Sequence, residues 1–233
     1  QKFNKLAHPD LHFTFPIYKA SPDSVCDHFM KTWRTQIQSD VYFNFHQWMD
    51  VIGAGNTQGQ IYEKESGEIL RKLSLKAYES DYKVMIIWLP EKMNQNCSNK
   101  LLKIIEEPPQ NTIFILVCEN TDLPIYQLIG TIYSRSQLMQ VKRIALPDLQ
   151  DATRKHYPQL SENQALSFAR LSEGSWIKLR NLISSSQESQ FMLDQFVRCM
   201  RGAYTIANVS PAKKVEKQNS LIDLKLWSEE MAK

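Results

Sequence analysis

The spacing of apolar residues changes from segment to segment along this chain, and each spacing predicts an element. Residues 8–18, "HPDLHFTFPIY", alternate in their second half and predict a short strand bounded by Pro9 and Pro16. Val25, Phe29, Trp33 and Ile37 stand four apart and form one stripe of an amphipathic helix. An aromatic-rich patch, "VYFNFHQWM", leads into a glycine-containing loop, "GAGNTQG". A charged helix follows over 60–75, with Ile61, Ile69, Leu70 and Leu73 on its apolar side. "YKVMIIWL" (82–89) is apolar throughout, as expected of a strand buried on both faces. Leu101, Leu102, Ile104 and Ile105 make the apolar face of another helix, which Pro108 and Pro109 end by forcing the preceding residues out of helical geometry. "TIFILVC" (112–118) predicts a second buried strand, and "LMQVKRI", after "YSRSQ", a third short one. Strands separated by helix-length crossovers imply a parallel sheet with helices on its faces, an α/β fold.

After Pro147 the pattern becomes helical throughout. "LQDATRKHY", "SENQALSFARLSEG" and "SWIKLRNLI" predict short helices, with Ser161 as an N-cap, Gly174 ending its helix and Ser175 capping the next. A longer helix is expected from Ser189, with Phe191, Phe196, Val197, Met200 and Tyr204. A polar linker, "SPAKKVEKQNS", then precedes a last amphipathic segment with Leu221, Leu224, Trp227 and Met231. No internal repeat or low-complexity tract interrupts this outline.

Composition narrows the function classes. The hydrophobic share of 42% and charged share of 23% are ordinary for a globular chain of 233 residues, long enough for two or three small domains. A net charge of +3 permits nucleic-acid contact without arguing for it, since dedicated binders concentrate basic residues in a stripe. The four cysteines (Cys26, Cys97, Cys118, Cys199) lie far apart with no metal-ligand spacing, so reduced thiols and no zinc site are expected. No apolar run reaches 18 residues, so no transmembrane helix is expected, and the location expected is cytoplasmic.

Few residues suggest chemistry by themselves. His8 and His12 are four apart, but on a strand that spacing separates them by roughly 13 Å, too far for a metal pair. Glu106 and Glu107 are neighbours on a helix and point about 100° apart, wrong for paired acid–base work. They also sit at the helix C-terminus, where the dipole disfavours negative charge, which implies a cationic or backbone partner nearby. "GAGNTQG" lacks the lysine of a phosphate loop, and no nucleophile–base signature is present. Arg135, in "YSRSQ", is a forked guanidinium set among small polar residues, suited to gripping a carboxylate or phosphate. On the residues alone an ordinary surface ion pair is its default reading.

The order "KVMIIWLPEKM…NKLLKIIEEPPQNTIFILVCEN…IYSRSQ" resembles the clamp-loader branch of the AAA+ proteins, with "LLKxxEEPP" and the "SR" element as its most specific signatures. Within that branch it is most similar to the delta-prime subunits of bacterial DNA polymerase III clamp loaders. The match is good over 60–185, "KLAHPDLHF" also fits, 19–59 are more individual, and 186–233 match loosely. The resemblance implies the later part of an AAA+ domain over 1–145, a three-helix lid over 146–186 and part of a helical collar over 187–233. It also implies that the phosphate loop lies upstream of Gln1, so a partial chain is expected.

Departures from that family pattern imply a subunit without ATPase activity of its own, holding no cofactor or metal. The acid pair that holds Mg²⁺ and polarises water in active members falls at Trp88 and Leu89, neither of which can ligate a metal. The nucleotide-sensing polar residue falls at Glu119, and the lid arginine at Ile177. The arginine that serves a neighbour's ATP is kept as Arg135, between Ser134 and Ser136. The partners implied are gamma/tau-like ATPase subunits and a delta-like subunit, with the sliding clamp and primed DNA met through the assembly. An active ATPase with its phosphate loop upstream, or a stand-alone DNA-binding module, are the alternative readings.

Overall fold

The computed structural model describes residues 2–55, 57–119, 132 and 134–208, without the side chains of 188, 190, 192, 195 and 202–208. The chain divides into two compact units, Gln1–Val141 and Lys142–Lys233.

The first unit is built on three parallel strands in the order β1 (Leu11–Thr14), β2 (Lys83–Trp88), β3 (Thr112–Val117). Between β1 and β2 the chain forms α1 (Cys26–Ser39), α2 (Phe45–Val51) and α3 (Glu63–Ser74); α4 (Gln95–Glu106) joins β2 to β3. The register aligns Leu11, Val84 and Ile113, then Phe13, Ile86 and Ile115. Because side chains alternate along a strand, these rows share one face, and Met85, Ile87, Phe114 and Leu116 occupy the other.

Each face has its own core. Ile69 and Leu73 of α3 pack with Leu101 and Ile105 of α4 against Met85 and Ile87. On the opposite face the aromatic segment folds inward: Trp33 of α1 and Trp48 of α2 pack with Phe13, Phe15, Phe43 and Trp88. The short α2 is set by Asn44, whose side chain caps the helix while Gln47 returns the bond to the Asn44 N–H.

Two expectations need correction here. β3 is not buried on both faces: the aromatic core covers β1 and thins across β2, leaving Ile113, Ile115 and Val117 between 42% and 45% exposed. "LMQVKRI" forms no strand; it is irregular, with Leu138, Met139 and Val141 exposed. Apolar residues suit a segment to a strand, but among the described residues this one pairs with no other strand and stays irregular.

Buried polar groups tie the helices to the sheet. Val25, the α1 N-cap, offers no side-chain acceptor, and Glu65 of α3 fills the role: its Oε2 accepts the Cys26 N–H at 2.9 Å and its Oε1 the Thr14 hydroxyl at 3.4 Å. Burial raises the Glu65 pKa against the opposing effects of that N–H and of Lys72. Lys83 plays the reciprocal part, its Nζ donating to the Leu73 and Leu75 carbonyls at the end of α3.

Asp10 makes a dense polar knot. It is buried, and its carboxylate accepts the backbone N–H groups of Tyr78, Glu79 and Ser80 at 2.6, 2.8 and 2.9 Å, plus the Ser80 hydroxyl at 3.1 Å. Burial by itself would raise this carboxyl, but the four donors outweigh it and bring the pKa down to about 2. A depressed folded-state pKa contributes stability above the unfolded value, 3.8, and that stability is lost as pH falls toward about 2. Asp10→Asn is therefore expected to destabilise by about 2 kcal/mol at pH 7 and to flatten the acid limb of a urea-midpoint-against-pH curve. An unaltered acid limb would show that the knot is not energetically coupled to folding.

In the second unit α5 (Leu146–His156), α6 (Glu162–Leu171) and α7 (Trp176–Asn208) follow one another. Leu149, Ala169, Leu179 and Ile183 form their core. Ser161 and Gln164 make a capping box at α6, and Ser175 Oγ accepts the Lys178 N–H at α7. Gly174 takes a φ of +80° and lies so close to Arg143 and Ile144 that a Cβ there would sit 2.7 Å from the Arg143 Cβ, so no larger residue fits.

The two helices expected after Ser175 are one. α7 runs unbroken because no proline or glycine occurs between Trp176 and Arg201, and the serines of its middle bond to their own helix: Ser184 Oγ donates to the Asn181 carbonyl and Ser185 Oγ to that of Leu182. A lid and a collar divided at 186/187 would thus share a helix. The last amphipathic segment, with Leu221 to Met231, lies outside the described residues.

Candidate functional site

Parallel α/β sheets offer their chemistry at the C-terminal ends of the strands. Here β2 ends in Trp88 and Leu89. The Trp88 ring packs 5.3 Å from Trp33 and 5.1 Å from Phe43, part of the aromatic core. Leu89 is 1% exposed and adopts a left-handed backbone, φ 57° and ψ 59°, while its N–H still donates to the Val117 carbonyl at 2.8 Å. A branched apolar side chain in that conformation costs of order 1–2 kcal/mol. It turns the chain sharply into the 3-10 turn Pro90–Lys92. Both side chains are consumed by packing, and neither presents an oxygen where a divalent cation would need one.

Beyond β3, Glu119 shares this corner with Glu91. The Glu119 N–H donates to Glu91 Oε1 at 3.2 Å, and Glu91 Oε2 is buried with no partner among the described residues. Desolvation, and then the Glu91 carboxylate, raise the Glu119 pKa. The same two causes push the Cys118 thiol up to about 11. Among the described residues no group of three or more His, Cys, Asp or Glu is arranged to hold a metal ion. The corner sets two carboxylates, Glu91 and Glu119, among apolar side chains, with Lys92 and His46 also near Glu119. Glu91 was not singled out by sequence reasoning; its place just after the strand-ending Leu89–Pro90 was the available signal.

Trp88, Leu89 and Glu119 are thus gathered at one end of the sheet. Ile177 belongs to the second unit, half-buried in the first turn of α7.

Arg135 is positioned from the other core. Ile132 is buried among Leu101, Ile105 and their neighbours. Its carbonyl accepts the Arg135 N–H at 3.1 Å and the Ser136 hydroxyl at 2.8 Å, so the turn carrying the arginine hangs from a packed residue. Ser134 is exposed on the same turn. Arg135 Nε forms an ion pair with Glu106 Oε1 at 2.9 Å, the two side chains being 35% and 49% exposed. Glu106 is the last residue of α4, before the chain turns through Glu107 into Pro108 and Pro109. The cation expected beside the misplaced helix-end acid is therefore Arg135. Glu107 is exposed, and its N–H closes the helix on the Lys103 carbonyl at 2.9 Å.

Fold and site together define a parallel α/β module whose β2 end is closed by packing and whose partly exposed arginine sits on an anchored turn. Residues 1–145 match the family of DNA polymerase III delta subunits, and the chain belongs to that family. Among solved structures it is similar to a DNA polymerase III gamma-subunit-related protein from Thermotoga maritima, at 18% identity and a TM-score of 0.36 over 71% of this chain. It spans 58% of that protein's length. No curated protein matches it. No helix among the described residues is long and apolar enough to cross a membrane.

Proposed function

We propose that this chain is a non-catalytic, delta-prime-like subunit of a bacterial replicative clamp loader, at work in the cytoplasm. It lends Arg135 to the ATP of an adjacent gamma/tau-like subunit and helps an assembly that includes a delta-like subunit to load the sliding clamp on primed DNA. In this reading the second unit supplies a lid over 146–186 and the start of a collar from 187. The observation that carries it is the end of β2: Trp88 and Leu89 are committed to the core at the positions where a metal-dependent ATPase needs carboxylates. A module so closed contributes to hydrolysis only through a group that reaches elsewhere, and Arg135 is partly exposed on an anchored turn.

The test is reconstitution of the full-length protein with the other clamp-loader subunits of its host. Co-purification and a higher ATP turnover of the assembly when this subunit is present are expected. ATP hydrolysis by the isolated full-length protein, or its failure to join the assembly, would overturn the reading.

A further inference from the structure

We propose that Glu106 is a positioning residue for Arg135, an inference that rests on the trans role just assigned to that arginine. A carboxylate at a helix C-terminus faces the negative end of the dipole, so Glu106 occupies an unfavourable place unless a cation compensates it. The compensating cation is the one side chain to which a function has been assigned, at 2.9 Å.

The pairing follows from the core beneath it. Ile105 and Ile132 are buried in the same cluster. The residue after Ile105 is Glu106, and the Ile132 carbonyl holds the turn on which Arg135 lies. One apolar packing thus brings helix end and turn into register. The double proline stops α4 at that point, so the carboxylate stays beside the turn.

The contact is made to Nε, the nitrogen nearest the aliphatic stem. A carboxylate beside that nitrogen holds the guanidinium from its inner edge, and gripping phosphate with the fork needs the group held in place. An exposed ion pair adds little to stability, so the value of this one lies in orientation. Glu106 touches no nucleotide; it acts through Arg135.

The experiment is a double-substitution cycle in the reconstituted assembly, reading ATP turnover, KM for ATP and the thermal midpoint of the isolated subunit. Glu106→Ala is expected to lower kcat about tenfold with KM and thermal midpoint unchanged, since a misplacement of ~1 Å can cost ~10²-fold. Glu106→Gln, which keeps an acceptor oxygen for Nε, is expected to recover most of the rate. Combined with Arg135→Ala, Glu106→Ala is expected to cause no further loss. If Arg135→Ala slows the assembly but Glu106→Ala does not, or if the two losses simply multiply, the positioning role is wrong and the trans role stands. If Arg135→Ala itself changes nothing, the trans role falls and this inference with it.

Discussion

Replacing Arg135 by alanine is expected to slow ATP turnover at the neighbouring subunit's site by about 10³-fold or more while leaving the subunit folded. Arginines that reach into another subunit's nucleotide are worth roughly 10³–10⁵ in rate, about 4–7 kcal/mol of transition-state stabilisation. The magnitude is large because the charge on the leaving phosphate develops only as the bond breaks, so the loss appears in kcat and not in KM. Stability should hardly change, for Arg135 is partly exposed and its ion pair with Glu106 lies at the surface, where such pairs contribute ~0.2–1 kcal/mol. Arg135→Lys keeps the charge and loses the fork, so it is expected to recover only a small part of the rate. Measured turnover of the assembly equal to wild type with either substitution would sink the proposal.

The second large effect is on folding. Trp48→Ala is expected to destabilise the first unit by about 3–5 kcal/mol through the cavity alone. The ring is fully buried, 4.9 Å from Trp33 and 5.1 Å from Phe15 in edge-to-face contacts. Its Nε1 also donates to the Pro16 carbonyl at 2.7 Å, so the substitution leaves a buried acceptor without its partner, at a further ~1–3 kcal/mol. Against a typical total of roughly 5–15 kcal/mol, such a loss brings the unit close to its unfolding limit. Urea denaturation followed by tryptophan fluorescence reads the first unit through Trp33 and Trp88, which lie in the same cluster, alongside Trp176 and Trp227 of the second. A midpoint shift equivalent to less than about 1 kcal/mol would mean that the cluster is not the core it resembles.

Much of this architecture was legible in the pattern of apolar residues. The helix-length crossovers predicted a parallel sheet, and β1, β2 and β3 pair that way. The four-residue spacing of Val25, Phe29, Trp33 and Ile37 predicted α1, and three of them pack into one core. What escaped prediction depended on neighbours. "LMQVKRI" is apolar enough to suggest a short strand, yet among the described residues it pairs with none. The burial of "TIFILV" on one face only reflects how far an aromatic cluster from residues 15–54 extends, which its own residues do not encode. α2 was missed although Asn44 and Gln47 spell a capping box. The Asp10 knot joins residues nearly 70 apart and carries no local signal.

The site divided in the same way. Trp88 and Leu89 stood out only through the family resemblance, which places an acid pair where these two side chains offer no metal ligand. The frustrated helix end at Glu106 was also legible, since the dipole argument needs only sequence position. Its partner was not, because Glu106 and Arg135 meet beside a cluster that buries both Ile105 and Ile132, a tertiary fact.

The strand register carries a consequence for how the molecule assembles. β2 and β3 pair across roughly 30 residues with α4 between them, whereas β1 must find β2 across roughly 70. Loop closure favours the nearer pair, so the β2–α4–β3 unit and the cluster beneath it are expected to form early, with β1 and its aromatic layer docking onto a sheet already begun. Substitutions in the late layer should then speed unfolding more than they slow folding. Glu106 belongs to the element that forms first, so the arginine's support is in place before the sheet is complete.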